Sequence, residues 1–368
     1  MEAIPALDEY GDPIEDFSYW ILWQLDNDAG MIELPLEDST QNPLTVTMDG
    51  NMIVKAVFEE AIKIVVMQGT RQILESGGDA DADGIPDDIA TITATPQMPQ
   101  LTARITGCNG CTVQWKFKLE YSRDGVPNSN GIFDSYIYPR DADDNEIWSS
   151  PISGAQVWQV VYDRGFVGGN AFVAALVNGE EYEFEFKVLG LNPTDGTVEN
   201  FIDTNAGGHW YAKYIAKHES ISGGEYYSQF NPSNTSNRYE PNKAPDQEDG
   251  FGIMMVDPPA NRAQLWHWQF NVEEGIRRLD TIYRPEAEAW IASQIIQQMD
   301  EAPTQTIDNE TLTFSGVVFQ QETARTMTDA CTIQRFNGAL LWVIYWDNPN
   351  DVWGKRTSEY LEKVCSEI

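Results

Sequence analysis

The best candidate for chemistry is Glu219, which ends an apolar helical stretch, W-Y-A-K-Y-I-A-K-H-E-S. Offsets of three, four and seven share one helical face, so Ala212, Ile215 and Glu219 lie on one stripe. Burial on that stripe and the negative end of the helix dipole, just before Gly223, both favour a protonated carboxyl group. Such a group can protonate a poor leaving group, for example a glycosidic oxygen. The alternative is an ordinary surface glutamate, since the chain has 58 acidic residues.

The order of the surrounding motifs favours the catalytic interpretation. H-E-S at 218–220 is followed by Q-F-N-P at 229–232, G-F-G-I-M-M-V-D-P-P at 250–259 and R-F-N-G-A at 335–339. Together they resemble the lytic transglycosylases and goose-type lysozymes, in which the pattern is E-S, then G-L-M-Q, then A-Y-N. The resemblance covers about residues 200–368.

The resemblance implies a lysozyme-like, all-α domain in which Glu219 is the sole acid and base and no cofactor takes part in catalysis. The implied partner is the glycan strand of peptidoglycan, cleaved between N-acetylmuramic acid and N-acetylglucosamine. A transglycosylase closes a 1,6-anhydro ring, whereas a hydrolase admits water. Chitin stays open as a substrate because it also presents N-acetylglucosamine.

The resemblance also implies which residues line the sugar groove. The 252–255 segment matches G-L-M-Q, with Met255 in place of glutamine, and Phe336-Asn337 matches Tyr-Asn, with Phe336 in place of tyrosine. Each replacement removes a hydrogen-bonding side chain. The helper carboxylate is expected to be Asp257, ahead of Asp246, Glu248 and Asp249. The predicted substrate-binding set is Ser220, Gln229, Gly252, Ile253, Met254, Met255, Asp257, Phe336, Asn337 and Tyr345.

A separate run of aspartates, G-G-D-A-D-A-D-G-I-P-D-D-I, has the spacing of a cation-binding loop. Hard divalent cations take several oxygen ligands from one short loop with a glycine at its sixth position, here Gly84. The run resembles the calcium loops of thrombospondin type 3 repeats, although Ala90 stands at the last ligand position. It predicts structural calcium, and the alternative is a plain acidic linker. The predicted ligands are Asp79, Asp81, Asp83, Ile85 and Asp87.

Charge excludes two classes of partner. The chain has 23 basic residues against 58 acidic ones, a net charge of -35, which repels nucleic-acid phosphates and anionic membrane surfaces. No window reaches the roughly 18 apolar residues of a membrane helix. The first residues lack the basic and apolar regions of a secretory leader. We expect an extracellular or particle-associated protein without a visible signal peptide.

The fold class predicted from these patterns is multidomain α+β. Residues 1–90 are expected to form an acidic attachment segment with the aspartate loop and a helix from Met52 to Leu74, although β-branched residues leave a strand pair open there. Period-two alternation at 112–121 and 181–190 predicts an immunoglobulin-like β-sandwich over residues 91–203. Apolar helical stripes predict a lysozyme-like domain over residues 204–368.

The cysteines add one local constraint. Cys108 and Cys111 flank Asn109-Gly110 between two strand-like runs, which predicts a disulfide across a tight hairpin turn. A zinc half-site is the rival interpretation. Cys331 and Cys365 could form a second disulfide in the C-terminal region.

Two classes of function follow. The first is a peptidoglycan-cleaving enzyme, carried by a phage particle or a contractile injection machine whose proteins the N-terminal segment contacts. The second is a catalytically impaired glycan-binding or structural component of such an assembly. Met255 and Phe336 favour the second slightly, because both replace polar groove residues.

Overall fold

The computed structural model describes residues 15–26, 30–34, 52–75, 79, 84–122, 134–163, 165–232, 235, 237–243, 250–256, 261–301, 327–338, 344–347, 352–355, 360 and 363–364. Its strands are β1 (Glu15–Asp26), β2 (Gly30–Leu34), β3 (Met52–Glu60), β4 (Lys63–Gln68), β5 (Arg71–Ile73), β6 (Ile89–Ile92), β7 (Leu101–Thr106), β8 (Thr112–Tyr121), β9 (Asp134–Tyr138), β10 (Ile152–Ser153), β11 (Trp158–Gln159), β12 (Gly169–Val177), β13 (Glu180–Gly190), β14 (Ile344–Asp347) and β15 (Val352–Lys355). Its helices are α1 (Asp195–Asn205), α2 (Ala212–Glu219), α3 (Arg262–Trp266), α4 (Trp268–Arg278), α5 (Arg284–Glu301) and α6 (Met327–Phe336), and a π-helical turn (Leu279–Tyr283) joins α4 to α5.

Two sheets share the first hydrophobic core. One has the strand order β10-β8-β12-β13-β6, with β9 also paired to β8, and the other has the order β11-β7-β4-β5. Strand β8 buries every second residue, as the alternation at 112–121 predicted, and β13 buries Phe184, Phe186 and Val188 in the same way. The facing strand β7 buries Leu101, Ala103 and Ile105. The alternating sequence therefore forms half-buried strands whose apolar faces meet.

The helices gather around a second hydrophobic core. Val198 and Ile202 come from α1, Ile215 from α2, and Val272 and Ile291 from α4 and α5. Residues of α6 and the late residues Tyr360 and Val364 complete it. The apolar stripes predicted for these helices are the faces that they bury.

The two cores meet at the start of α4. Trp266 packs edge-on against Tyr121 in the first core, with ring centroids 5.1 Å apart. Trp268 belongs to the second core, and its indole N–H donates to the carbonyl of Ala94 at 2.9 Å. The indole rings on either side of His267 thus anchor the helices to the sheets.

The helix predicted from Met52 to Leu74 is wrong. The segment forms β3, β4 and β5 instead, with β3 paired to β1 and β4 paired to β7. Gly69 adopts a φ of +63° in the turn between β4 and β5, a conformation that glycine favours. The β-branched residues alternate between buried and half-buried positions in β4, so sheet pairing prevailed over the helical spacing.

The disulfide between Cys108 and Cys111 is present, but the predicted hairpin is wrong. Strand β7 lies in the four-stranded sheet and β8 in the six-stranded sheet, so the turn carries the chain from one sheet to the other. Cys331 has a free, buried thiol, and burial raises its pKa to about 12. Its predicted partner Cys365 lies outside the described residues.

The long helical stretch is interrupted twice. His267 separates α3 from α4, and the π-helical turn leads into α5, where the amide of Arg284 donates to the carbonyl of Leu279. Pro285 follows and has no amide hydrogen to give to a preceding turn. A wider turn before a proline accounts for the π geometry.

The α+β class is confirmed, and the elements group differently from the predicted regions. Strands β4 and β5, from the predicted attachment segment, extend the sheet that contains β7. Helix α1 begins before residue 204 but packs in the second core. Strands β14 and β15 pair within the C-terminal region, which is therefore not exclusively helical. Among the described helices, none combines the length and hydropathy needed to cross a bilayer.

His267 predicts a pH-dependent stability. Its Nδ1 accepts the amide hydrogen of Phe270 and caps α4, which requires a neutral ring, and burial lowers the pKa of His267. The unfolded state therefore takes up the proton first, so stability is complete above about pH 6.5 and falls as the pH drops below that value. We expect the free energy of unfolding, measured with urea, to be smaller at about pH 5 than at about pH 7. His267→Asn keeps a capping acceptor and should reduce this slope, to which buried His209 also contributes, whereas an unchanged slope would contradict the assignment.

Candidate active site

Glu219 is the last residue of α2 and lies at the edge of the second core. Ala212, Ile215 and Ala216 are fully buried on the inner face of the helix, and the side chain of Glu219 is half-buried. The helix ends at Ser220, whose hydroxyl donates to the carbonyl of Ala216 at 2.6 Å. The predicted stripe is therefore present, with the carboxylate where the apolar surface meets solvent.

A buried tyrosine fixes this carboxylate. The hydroxyl of Tyr360 donates to Oε1 of Glu219 at 2.5 Å, and the ring of His218 packs edge-on against Tyr360 with centroids 5.4 Å apart. Burial raises the pKa of Tyr360 well above its usual range, and the negative charge of Glu219 raises it further. Tyr360 therefore keeps its proton and acts as a donor, which orients the carboxylate.

Aromatic residues extend the site from Tyr360 towards α6. Tyr283, from the π-helical turn, is close enough to raise the pKa of Tyr360 electrostatically. Tyr283 also packs edge-on against Phe336, with ring centroids 5.2 Å apart. Glu219 and Phe336, which are far apart in the sequence, are thus connected through Tyr360 and Tyr283.

Two buried amide side chains hold the turn at residues 250–256. Asn271 accepts the amide hydrogen of Met254 at 2.8 Å and donates to the carbonyl of Phe251 at 2.7 Å. Gln229 accepts from the amide of Ile253 at 3.3 Å. A Cβ atom at Gly252 would come within 2.5 Å of both amide groups, and the φ of this residue is +77°. Only glycine fits here, so these amides explain why the turn has this residue.

The same amides change the interpretation of the predicted groove residues. Ser220, Gln229, Ile253 and Met254 are fully buried, and Gly252 is enclosed by the amides, so none of them forms a groove surface in this structure. Asn242 ties two of them together: its side-chain amide donates to the carbonyl of Ser220 at 3.3 Å, and its backbone amide donates to the carbonyl of Gln229 at 2.9 Å. The motif match selected these residues as substrate-binding, but their burial gives them a structural role instead.

The remaining predicted contacts fall in three groups. Met255 is half-buried with a φ of +38°, Phe336 is half-buried and Asn337 is exposed, so all three have surface to offer a ligand. Tyr345 lies in β14. The candidate helpers lie outside the described residues: Asp246, Glu248, Asp249 and Asp257.

Sequence reasoning missed the residues that organise the site. Asn271 gave a usable signal, because it lies three positions after Trp268 and is a polar residue on a core-facing stripe. Tyr360 and Tyr283 gave none, since their roles depend on contacts between distant segments. Buried polar groups of this kind need partners, and only the folded chain provides them.

Part of the predicted calcium loop lies within the described residues, and Arg71 contacts two of its predicted ligands. Asp79 accepts the amide hydrogen of Gly84 at 3.0 Å, and Asp81 and Asp83 lie outside the described residues. Arg71 donates to the carbonyls of Pro86 at 2.7 Å and Ile85 at 3.4 Å, and its guanidinium lies 4.0 Å from the buried carboxylate of Asp87. Two of the predicted ligands thus face a fixed positive charge. Within the described part of the chain, no group of three or more metal-binding side chains comes together.

Arg71 and calcium can be distinguished by melting experiments. If Arg71 supplies the positive charge, Arg71→Gln should destabilise the fold by about 2 kcal/mol, because hydrogen bonds from a charged donor are lost. Arg104→Gln, at an exposed position of β7, is the matched control and should have little effect. Calcium or a chelator should leave the melting temperature of the wild type unchanged. A calcium-dependent rise would show that the loop binds the ion despite Arg71.

Neither the protein-family models nor the curated proteins contain a match to the chain. The function proposed below therefore rests on the residues and their contacts.

Proposed function

We propose that the chain is a peptidoglycan-cleaving glycosidase, a lytic transglycosylase or a lysozyme, with Glu219 as its single acid and base. The observation that carries the proposal is the half-buried carboxylate of Glu219, held at Oε1 by the buried hydroxyl of Tyr360. A fixed carboxyl group at the rim of an apolar core is placed to exchange a proton with a bound substrate, and the donor Tyr360 holds it most strongly as the carboxylate, the form that takes a proton back. The order of motifs around Glu219 resembles that of the lytic transglycosylases and goose-type lysozymes, and this resemblance indicates peptidoglycan as the substrate.

In the proposed reaction Glu219 first donates a proton and then takes one back. In the first step this proton passes to the oxygen between the two sugars, and the bond from that oxygen to the anomeric carbon breaks. In the second step the carboxylate takes a proton back, either from the sugar's own 6-hydroxyl as it attacks the anomeric carbon or from an attacking water. Tyr360 holds one carboxylate oxygen throughout, which fixes the direction of the other.

The finer architecture is part of the same proposal. We infer that the sheets around the first core form the immunoglobulin-like sandwich, and that the helices around the second core form the lysozyme-like domain. Support for the second part comes from Glu219, which lies at the edge of a core built from α1, α2, α4, α5 and α6. The hairpin of β14 and β15 is an addition to such a helical domain.

The proposed location of the protein rests on its net charge and on the N-terminal sheet. Strands β1, β2 and β3 form a separate three-stranded sheet, which suits an attachment element of a virion or an injection machine. The net charge of -35 favours a location outside the cell or on a particle over contact with nucleic acid.

A second function is favoured by the buried groove motif. Because Gln229, Ile253 and Met254 are in the core and Phe336 has no hydroxyl, fewer polar groups are available to hold a sugar in position. A glycan-binding or structural component without turnover would tolerate that loss. Binding to peptidoglycan or chitin without products is its signature.

Glu219→Gln tests the catalytic proposal. The substitution keeps an oxygen that can accept from Tyr360 but removes the transferable proton, so clearing of purified peptidoglycan should slow by about 10²-fold or more. The matched control is Glu199→Gln, because Glu199 is also half-buried and also accepts from a buried tyrosine, Tyr227, at 3.1 Å. The control should clear peptidoglycan at the wild-type rate.

Two outcomes would reject the catalytic role. Equal clearing by the wild type and Glu219→Gln would remove Glu219 from the reaction. Sedimentation of the wild type with peptidoglycan, without any soluble product detected by mass spectrometry, would support the glycan-binding alternative.

A further inference from the structure

A short hairpin follows α2 and carries two apolar side chains into solvent. Ser222 and Glu225 exchange two backbone hydrogen bonds, of 3.0 and 2.9 Å, around a two-residue turn. The turn residues Gly223 and Gly224 have positive φ values of +56° and +90°, which a type I′ turn requires and glycine allows. Residues 221–226 therefore form a tight, well-defined projection, which we call the α2 hairpin.

Ile221 and Tyr226 are the next residues on the two arms of the α2 hairpin, so they are neighbours at the base of its turn. Ile221 is 48% exposed and Tyr226 is 37% exposed. Among the tyrosines whose burial the structure describes, Tyr226 is the only exposed one. A single exposed apolar side chain is common, whereas an aromatic side chain beside an aliphatic one offers a ligand a continuous apolar surface.

Lys217 holds the ring of Tyr226. Its ammonium nitrogen lies 4.8 Å from the centroid of the ring, within the range of a cation–π contact. Lys217 lies in the last turn of α2, so this contact ties the α2 hairpin to the helix that carries Glu219. A ring that is already held loses little conformational freedom when a ligand covers it, which favours binding.

The α2 hairpin begins next to the proposed catalytic carboxyl group. Ile221 follows Glu219 by two residues, so their Cα atoms are at most about 7.6 Å apart. A short oligosaccharide spans such a distance. A glycan strand bound at Glu219 can therefore cover Ile221 and Tyr226 with a neighbouring sugar ring.

We propose that the α2 hairpin is a sugar-binding platform for the substrate of Glu219, with one sugar ring of the glycan strand stacked on Tyr226 and in contact with Ile221. This inference rests on the proposed function and assigns residues that position its substrate. The apolar face of an aromatic ring suits the C–H face of a sugar. Glu225, the residue before Tyr226, is exposed, and its carboxylate can accept hydrogen bonds from sugar hydroxyls.

Two other occupants fit the α2 hairpin less well. A specific protein interface buries about 1,000 Å² or more, far more than two partly exposed side chains offer. An anionic membrane surface is repelled by the net charge of -35. A sugar ring needs only a surface of its own size, which the pair of Ile221 and Tyr226 provides.

Co-sedimentation of the full chain with purified peptidoglycan tests the platform. The measurement uses the Glu219→Gln background, so that turnover does not consume the ligand. We expect Tyr226→Ala to raise the dissociation constant by at least about tenfold. Tyr226→Phe should bind as the background does, because stacking needs the ring and not the hydroxyl. The matched control is Phe270→Ala, which removes a 43% exposed aromatic ring from α4 and should leave binding unchanged.

Four results would overturn the platform: no binding by the background, unchanged binding by Tyr226→Ala, equal weakening by Tyr226→Ala and Phe270→Ala, or loss of binding in Tyr226→Phe. Failure of the catalytic proposal gives a different result. Binding that needs Tyr226, without soluble products from the wild type, would reject catalysis and keep the platform. Soluble products from the wild type, with binding that Tyr226→Ala leaves unchanged, would keep catalysis and reject the platform.

Discussion

The hydrogen bond from Tyr360 to Glu219 is the interaction on which the proposed chemistry depends. A half-buried carboxylate at the end of a helix is costly unless a donor compensates it, because the helix carbonyls point at it. Tyr360 lies near the end of the chain, and Val364 accompanies it into the second core. Tyr360 and Val364 therefore close that core beside the end of α2, and the pair of Tyr360 and Glu219 forms only when these late residues have packed there.

The π-helical turn contributes a residue to the surroundings of Glu219. Its Tyr283 contacts Phe336 and raises the pKa of Tyr360 electrostatically. Turns of this kind are rare and frequently mark functional positions, because the extra residue per turn redirects the side chains that follow.

Local periodicity explains what the sequence could predict. The alternation in β8 and β13 and the stripe that contains Glu219 are properties of neighbouring residues, and all of them are present in the fold. The segment from Met52 to Leu74 has apolar residues that suit either a helix or strands, and pairing with β1 and β7 decided the outcome. Local periodicity in the sequence does not reveal which strands pair with each other.

The site itself was only partly predictable, for the same reason. A motif match assigns residue types to the 252–255 turn, but its burial depends on amide groups from Gln229 and Asn271, which belong to other segments. Likewise, Arg71 of β5 donates to the carbonyl of Ile85 and lies beside the carboxylate of Asp87, both in the aspartate run. Contacts between segments, not residue type, decide which groups meet a ligand.

The most direct measurement of the central claim is the rate of muropeptide release, followed by mass spectrometry, for Tyr360→Phe and Tyr227→Phe. Both variants remove a buried hydroxyl that donates to a glutamate, Glu219 in the first and Glu199 in the second. We predict that Tyr360→Phe slows release by at least about tenfold, the effect of losing a hydrogen bond to a charged group, whereas Tyr227→Phe leaves the rate unchanged. Release at the wild-type rate by Tyr360→Phe, or equal slowing by both variants, would contradict the role assigned to the Tyr360–Glu219 pair.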